Sequence, residues 1–396
     1  MTKRSGSAEP TAGAVATRRT MLAIGATAVA GVLIRPAHAK GVEGVTDTEI
    51  ILGQSCQLTG PLAALTTEVR LGAKLHFDDV NKSGGINGRQ VRVIALDDAY
   101  DPKRSAANTV KLIDEENVLA LFQYAGTPGS LAAVPIAEEK RVPLFAPFTG
   151  SDALRAKQSR YVFNIKAGYG DELEAMVKQI GSVGISKCSV VFLNNAFGTG
   201  GLAQVERSAA AHSVQVLSKA ALEVDGSKLD ATVAQIGKDK PPAVIVVSAG
   251  KPSVDFIDAY LKAGHRSTFY MLSVTSNTQL VQVLGERARG IVISQVVPSP
   301  WNQALKVVRD FQALARAAGI TNFTFSQMEG FVSANAMTDA LRRAGRMLTR
   351  EGLIRTLEES KRLDLGGYII ELSPTRHSSG KLVELLILDA EGKFRK

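Results

Sequence analysis

Short β-rich runs alternate with longer amphipathic stretches along nearly the whole chain. Ile50-Ile51-Leu52-Gly53 predicts a strand. From Pro61 toward Asn81, the positions Leu65, Val69, Leu71, Ala73, Leu75 and Val80 recur at helical spacing and supply one apolar face. Ser83-Gly84-Gly85-Ile86-Asn87-Gly88 predicts a tight turn, because its glycines reach positive φ without steric cost. Strands follow at Val91–Leu96, Leu119–Phe122 and Pro143–Ala146. Helices are predicted to start at Asp101-Pro102 and Thr127-Pro128, with the Asp or Thr as cap and the proline at the first helical position.

A second series begins near Tyr161. It reads helix 171–183, strand 189–193, helix 200–211, strand 214–217, helix 228–238, strand 243–247, helix 252–263 and strand 269–272. After a strand at 290–294, helices are predicted at 302–318, 327–344 and 350–358, and two strands, 368–372 and 382–388, close the chain. Such alternation implies βαβ units and parallel sheets with helices on both faces. Two series imply an α/β protein of two doubly wound, Rossmann-like lobes. The predicted division is 40–167 plus 297–380 for the N-terminal lobe and 168–296 plus 381–396 for the C-terminal lobe.

A length of 396 residues accommodates two or three domains, and 45% apolar with 21% charged residues is ordinary globular composition. The net charge is +9. Lys3, Arg4, Arg18, Arg19 and Arg35 against Glu9 place +4 of it in the first 39 residues. The remaining +5 is thin, and no basic run is interleaved with aromatics, which argues against nucleic acid as a partner. Arg18-Arg19, an uncharged stretch from Met21 to Ile34, and Ala37-His38-Ala39 together form an export signal of twin-arginine type, residues 1–39, cut near Ala39. The competing reading is a membrane anchor or a chance amphipathic start, although fourteen residues fall short of the roughly 20 a span needs. No later segment is long and apolar enough to cross a bilayer, so the exported protein is expected to be periplasmic and not membrane-spanning. Cys56 and Cys188 lie in different predicted lobes and are expected as two unpaired, buried thiols.

Ligands of open α/β sheets sit beyond the carboxyl ends of strands, where helices begin and unpaired N–H groups favour anions. Four loops fit: Gln57–Pro61, Tyr124–Pro128, Pro147–Ser151 and Asn195–Gly200. The second and third can grip a carboxylate between a threonine hydroxyl and backbone amides; alternatively Thr127 and Ser151 only cap their helices. Gly198-Thr199-Gly200-Gly201 lacks the last glycine of a dinucleotide loop, since position 203 is Ala203, and Gly250-Lys251-Pro252-Ser253 is not a phosphate loop. Scattered histidines offer no metal-ligand spacing, and neither a G-x-S-x-G elbow nor H-E-x-x-H occurs. No cofactor and no enzymatic activity are expected.

Several stretches resemble the first lobe of the periplasmic Leu/Ile/Val-binding protein family, the type I periplasmic binding fold. They are Leu58-Thr59-Gly60-Pro61, Asn81–Gly88, Asp97-Asp98-Ala99-Tyr100-Asp101-Pro102 and Val142–Pro147. Weaker similarity continues through Ala196-Phe197-Gly198, Ala263-Gly264 and Gly366-Gly367-Tyr368. The resemblance implies two lobes joined by three crossovers, a ligand cleft between them, and a monomer delivering its solute to an ABC transporter permease. It further implies that Thr127 binds the ligand carboxylate, with Phe148 and Gly150 contributing backbone groups and Thr149 or Ser151 assisting; Tyr124 precedes Thr127 in its loop.

Four places depart from the family pattern, the first being Gly150, which stands where a second hydroxyl residue is usual, so that only its amide can serve there. Ser273 stands where an acid for the ligand ammonium is usual, and no acid lies between Tyr270 and Asn277. Ser248-Ala249-Gly250 replaces a usual tyrosine, and Leu65 stands where an aromatic often sits. A buried ammonium without an acid costs several kcal/mol. Lys166 is either a second anion contact or a solvated lysine; Tyr169 and Phe197 either stack on a ring or acyl chain or pack in the core. The expected ligand is therefore an aromatic, keto or other carboxylate without an ammonium group. A branched-chain amino acid is the alternative ligand, and a sensory receptor of the same fold the alternative role.

Overall fold

Aliphatic and β-branched runs assemble two separate sheets in the computed structural model, which describes residues 43–156, 159–389 and 391–395. The predicted export signal lies outside the described residues. The first series forms β1 (Glu49–Cys56), α1 (Ala63–Lys82), β2 (Gln90–Asp97), α2 (Pro102–Asp114), β3 (Ala120–Phe122), α3 (Thr127–Glu139), β4 (Leu144–Phe145), α4 (Ala153–Ala156) and β5 (Val162–Phe163). These strands make a parallel sheet in the order β2-β1-β3-β4-β5, with Cys56 opposite Asp97 and Leu121 opposite Leu144.

The second series forms α5 (Tyr169–Ser182), β6 (Lys187–Leu193), α6 (Ala196–Ala211), β7 (Gln215–Leu222), α7 (Leu229–Lys238), β8 (Ala243–Val247), α8 (Gly250–Lys262), β9 (Thr268–Met271), α9 (Asn277–Leu284) and β10 (Val292–Gln295). The chain then returns to the first sheet with α10 (Lys306–Ala317), α11 (Phe325–Ala344) and α12 (Arg350–Glu359), followed by the small hairpin β11 (Leu363–Asp364) and β12 (Ile369–Ile370). It crosses again to add β13 (Glu384–Leu388) and β14 (Phe394–Arg395), antiparallel, to the second sheet, whose order is β14-β13-β10-β9-β8-β6-β7. Each sheet with its helices is one lobe.

Local chemistry explains where prediction and structure part. Helix α6 starts at Ala196, four residues before the predicted start, because the Asn195 side chain accepts hydrogen bonds from the amides of Phe197 and Gly198. A good cap carries the helix through glycines that read as a loop. Strand β7 runs on to Leu222 through Ser218 and Lys219; it is the edge of its sheet, where polar residues are tolerated. Thr127 is the first helical residue of α3 rather than its cap, a place taken by Gly126.

Helices α1 and α11 touch backbone to backbone. A Cβ on Gly72 would lie 1.8 Å from the Gln327 carbonyl oxygen, and one on Gly330 would lie 1.8 Å from the Val69 carbonyl oxygen. Only glycine permits this reciprocal approach. It anchors α11 to the first sheet although 242 residues of chain separate the two helices. At the crossings, the Tyr368 hydroxyl donates to Ile165 O at 2.8 Å and to Val296 O at 3.4 Å. The third crossing is tied to the first by Asn164 N to His377 O and Ser379 N to Asn164 O, both 2.8 Å.

Candidate functional site: the cleft between the lobes

The N-terminal side of the cleft is a polar network. Strand β1 delivers Gln57, whose Nε2 donates to Asp98 Oδ1 at 3.0 Å and Ala125 O at 2.9 Å, and whose Oε1 accepts from Thr66 Oγ1 at 3.1 Å. Asp98 also accepts from Ser55 Oγ and from the Tyr100 amide, and burial raises its pKa. Helix α3 opens with Thr127, and the loop after β4 brings Thr149 to it: the two hydroxyls lie 2.7 Å apart. Thr127 therefore spends its hydroxyl on Thr149 and not on capping. Both are fully buried.

The C-terminal side is apolar. Tyr169 opens α5, Phe197 sits in the first turn of α6, and Ala249 and Val274 follow β8 and β9. The Tyr169 and Phe197 rings lie 5.0 Å apart and tilted by 45°. Tyr169 N donates to Gly150 O at 2.7 Å, and a Cβ on Gly150 would stand 2.5 Å from the tyrosine ring. One cavity is lined jointly by Gln57, Leu62, Leu65, Thr66, Tyr100, Gly126, Thr127 and Phe148 from one lobe and Tyr169, Phe197, Ala249 and Val274 from the other. Its volume is 20 Å³, the room of about one water. A solute enters only when the lobes part or the two rings turn away.

Direct contacts hold the lobes in this closed arrangement. Lys251 N, at the start of α8, donates to Pro61 O at 3.1 Å. Ser276 Oγ donates to Glu68 Oε1 at 2.8 Å, and burial raises the Glu68 pKa. The apolar cluster of the C-terminal lobe continues across the cleft into Leu62, Leu65, Tyr100 and Phe148.

Lys166 lies at the first crossing and is neither solvated nor free. It pairs with Glu329 of α11 at 2.6 Å, with both side chains buried, and its ammonium sits 4.7 Å from the centre of the Phe148 ring. Glu172, one turn into α5, faces the same lysine. Its carboxylate accepts from Ser273 N at 2.9 Å, Ser273 Oγ at 3.1 Å and Ser294 Oγ at 2.5 Å. Burial pushes the carboxyls of Glu172 and Glu329 up, and Lys166 opposes that shift in each.

The structure thus brings together Thr127, Thr149, Phe148, Tyr169 and Phe197, with Gly150 behind Tyr169. It does not bring Tyr124 or Ser273 to the cavity. Tyr124 points to the opposite face of its sheet, where its hydroxyl meets Thr109 Oγ1 at 3.1 Å, because strand alternation turns it toward α2 and α3. Ser273 is occupied by Glu172. Sequence reasoning missed Glu172, since a search for an acid within 270–277 does not reach a helix a hundred residues earlier. It also gave no role to Gln57, Thr66 and Tyr100, although Gln57 opens one of the four loops read as ligand-facing and Tyr100 lies in a stretch that carries the family resemblance. Cys56 and Cys188 are both free and buried, as expected. Asn195 is a helix cap, its side chain engaged by the amides of Phe197 and Gly198. Among the described residues no group of three His, Cys, Asp or Glu is placed to hold a metal ion, and no helix is long and apolar enough to cross a membrane.

Residues 49–380 match the family described as periplasmic binding protein. The chain belongs to that family. It is similar to the Leu/Ile/Val-binding protein homolog 8 of Brucella abortus strain 2308, with 23% identity over 228 residues, covering 55% of this chain and 56% of the relative. The match to that curated relative thus spans little more than half its length. The fold is similar to the crystal structure of a possible leucine/isoleucine/valine-binding protein from Rhodopirellula baltica SH 1, at TM-score 0.82 and 27% identity over 90% of this chain and 98% of the other. A substrate-binding periplasmic protein from Ralstonia solanacearum gives TM-score 0.82 and 28% identity over 87% and 99%. The family is one of binding proteins, not enzymes.

Proposed function

We propose that this periplasmic binding protein is the solute receptor of an ABC importer, holding a small carboxylate or amino acid between its lobes. The carrying observation is the opposition of the Thr127–Thr149 hydroxyl pair, at the start of a helix, to the Tyr169–Phe197 ring pair of the other lobe. On opening, Thr127 Oγ1, Thr149 Oγ1 and the amides of α3 become donors for a carboxylate, and the rings receive the remainder of the solute. Charge-assisted hydrogen bonds in so dry a site contribute roughly 1.5–3 kcal/mol each. Our reading assigns ligand contacts to Thr127, Phe148, Thr149, Gly150, Tyr169 and Phe197, and places Lys166, paired with Glu329, behind the Phe148 ring.

The preferred ligand is an aromatic, keto or other carboxylate without an ammonium group. No carboxylate lines the cavity. Glu172, the nearest buried acid to the family's ammonium position, is engaged by Ser273, Ser294 and Lys166. Recruiting it for an ammonium requires breaking that set. The reading divides the chain into an export signal at 1–39, an N-terminal lobe of 40–167 plus 297–380, and a C-terminal lobe of 168–296 plus 381–396, the exported monomer acting in the periplasm. Isothermal titration with phenylpyruvate, benzoate, leucine and valine tests it. Micromolar or tighter binding of an acid is expected; tight leucine binding with no response to the acids overturns the ligand preference, and silence from all four overturns the proposed chemistry of the cleft.

A further inference from the structure

The N-terminal lobe has a second concavity, away from the cleft, between α1 and the edge strand β2. Its volume is 470 Å³, and it shares no lining residue with the cleft cavity. Leu71 and Phe77 of α1, Val93 of β2 and Phe122 of β3 give it an apolar floor. Gln54, Gln123 and Arg70 line one end.

Gln123 is the unusual member. It is 1% exposed, yet among the described residues neither its Oε1 nor its Nε2 has a hydrogen-bond partner. Buried amides are nearly always paired, and leaving one unpaired costs free energy, so this one calls for an explanation. Its backbone has φ 51°, left-handed for a residue with a side chain. That backbone is itself well held: its N–H donates to Phe145 O and its carbonyl accepts from Gln54 Nε2, both at 2.9 Å. The fixed main chain therefore presents a spare amide beside the groove.

Arg70 supplies charge. Its Nε donates to Gln54 Oε1 at 3.2 Å, which leaves the two terminal nitrogens without a carboxylate. The other cations of the groove are spoken for: Lys74 pairs with Asp78 at 2.5 Å and Arg92 with Glu49 at 3.3 Å. Among the described residues Arg70 is the groove's cation without an acid partner.

We infer that this groove is a second small-molecule site, for an apolar carboxylate that carries a neighbouring hydroxyl, a 2-hydroxy acid. The Arg70 fork takes the carboxylate, with Gln123 Nε2 donating to the same group. Gln123 Oε1 accepts from the hydroxyl, and the alkyl chain lies over Leu71, Phe77 and Val93. A guanidinium suits a carboxylate because it offers two parallel donors.

Methyl-labelled protein titrated with 2-hydroxyhexanoate tests this. Leu71 and Val93 methyls report the groove; Leu65 and Val274 methyls report the cleft. Saturable shifts of the groove methyls are expected, weakened at least tenfold in Arg70→Met and in Gln123→Leu, and weakened several-fold for hexanoate, which lacks the hydroxyl. Where Arg70→Met does not fold, Arg70→Lys carries the test, with loss of the two-pronged contact reducing affinity several-fold. Groove methyls that stay still up to about 10 mM, well above a ~1 mM Kd, or affinities unchanged in the variants, overturn the inference. The cleft methyls respond or fail independently, so neither site's result decides the other's.

Discussion

On its N-terminal side the cleft is lined by amides and hydroxyls already tied to one another, whereas its C-terminal side offers two rings and short aliphatic groups with few hydrogen bonds. Gln57 is fixed by Asp98, Ala125 and Thr66, and Thr127 by Thr149. Tyr169 and Phe197 are held by each other, by the backbone at Gly150 and, for Tyr169, by the Thr149 hydroxyl across the cleft. In the proposed reading the two walls have separate tasks. A preorganised polar wall loses little entropy when it grips a carboxylate. An aromatic wall on a moving lobe removes water and reads the shape of what remains. Beneath the seam where the walls meet, Lys166 lies between an acid of each lobe, Glu329 and Glu172.

The most damaging way to break this contrast is to remove the seam. Glu329→Ala leaves a buried ammonium without its 2.6 Å partner and is expected to cost about 3–5 kcal/mol of stability, measured as a shift in urea midpoint at constant m-value. Next, Gly150→Val drives a side chain into the Tyr169 ring and separates the walls. We expect ligand affinity to drop by about a hundredfold, or ~2.7 kcal/mol, and a titration that still gives the parent value would mean the ring does not bear on the site. Thr127→Ala removes one donor from the polar wall alone and should weaken any carboxylate at least tenfold, about 1.4 kcal/mol. Thr127→Ser should recover most of that loss, while Phe197→Ala should penalise aryl acids and spare short ones.

The smallest effect concerns pH. Burial raises the Glu68 carboxyl above its ordinary value, and in the proposed opening it loses Ser276 of the other lobe and gains water. A group whose pKa is higher in the closed form favours closure when protonated. Its contribution is complete below the open-form value and fades as pH rises through the closed-form value. Small-angle scattering between about pH 4 and about pH 8 should show a several-fold rise in the open fraction with pH, flattened in Glu68→Gln. A pH-independent radius in the parent protein would remove Glu68 from the closure balance.

Much of this architecture was legible from period alone. Helix α1 and strands β1 to β3 follow from apolar spacing and from the Gly84–Gly88 turn, and the opposition of Thr127 to the loop after β4 follows from where strands end. What stayed hidden depends on contacts between distant segments. Glu172 reads as one more charge in the first turn of an amphipathic helix; only folding sets it against Ser273 and Ser294. Lys166 reads as a loop lysine, and nothing near it in sequence announces Glu329. Strand β5 has two residues and helix α4 four, too short for any period to register. Tyr124 was assigned to the cleft by its place in a loop, yet the pleat of the sheet turns its ring the other way.

The hydroxyl of Tyr368 fastens two of the three crossings to a single oxygen. With that pin in place, a shear between those two segments must stretch or break one of the contacts, so sliding carries a cost that an untied pair of segments would not impose.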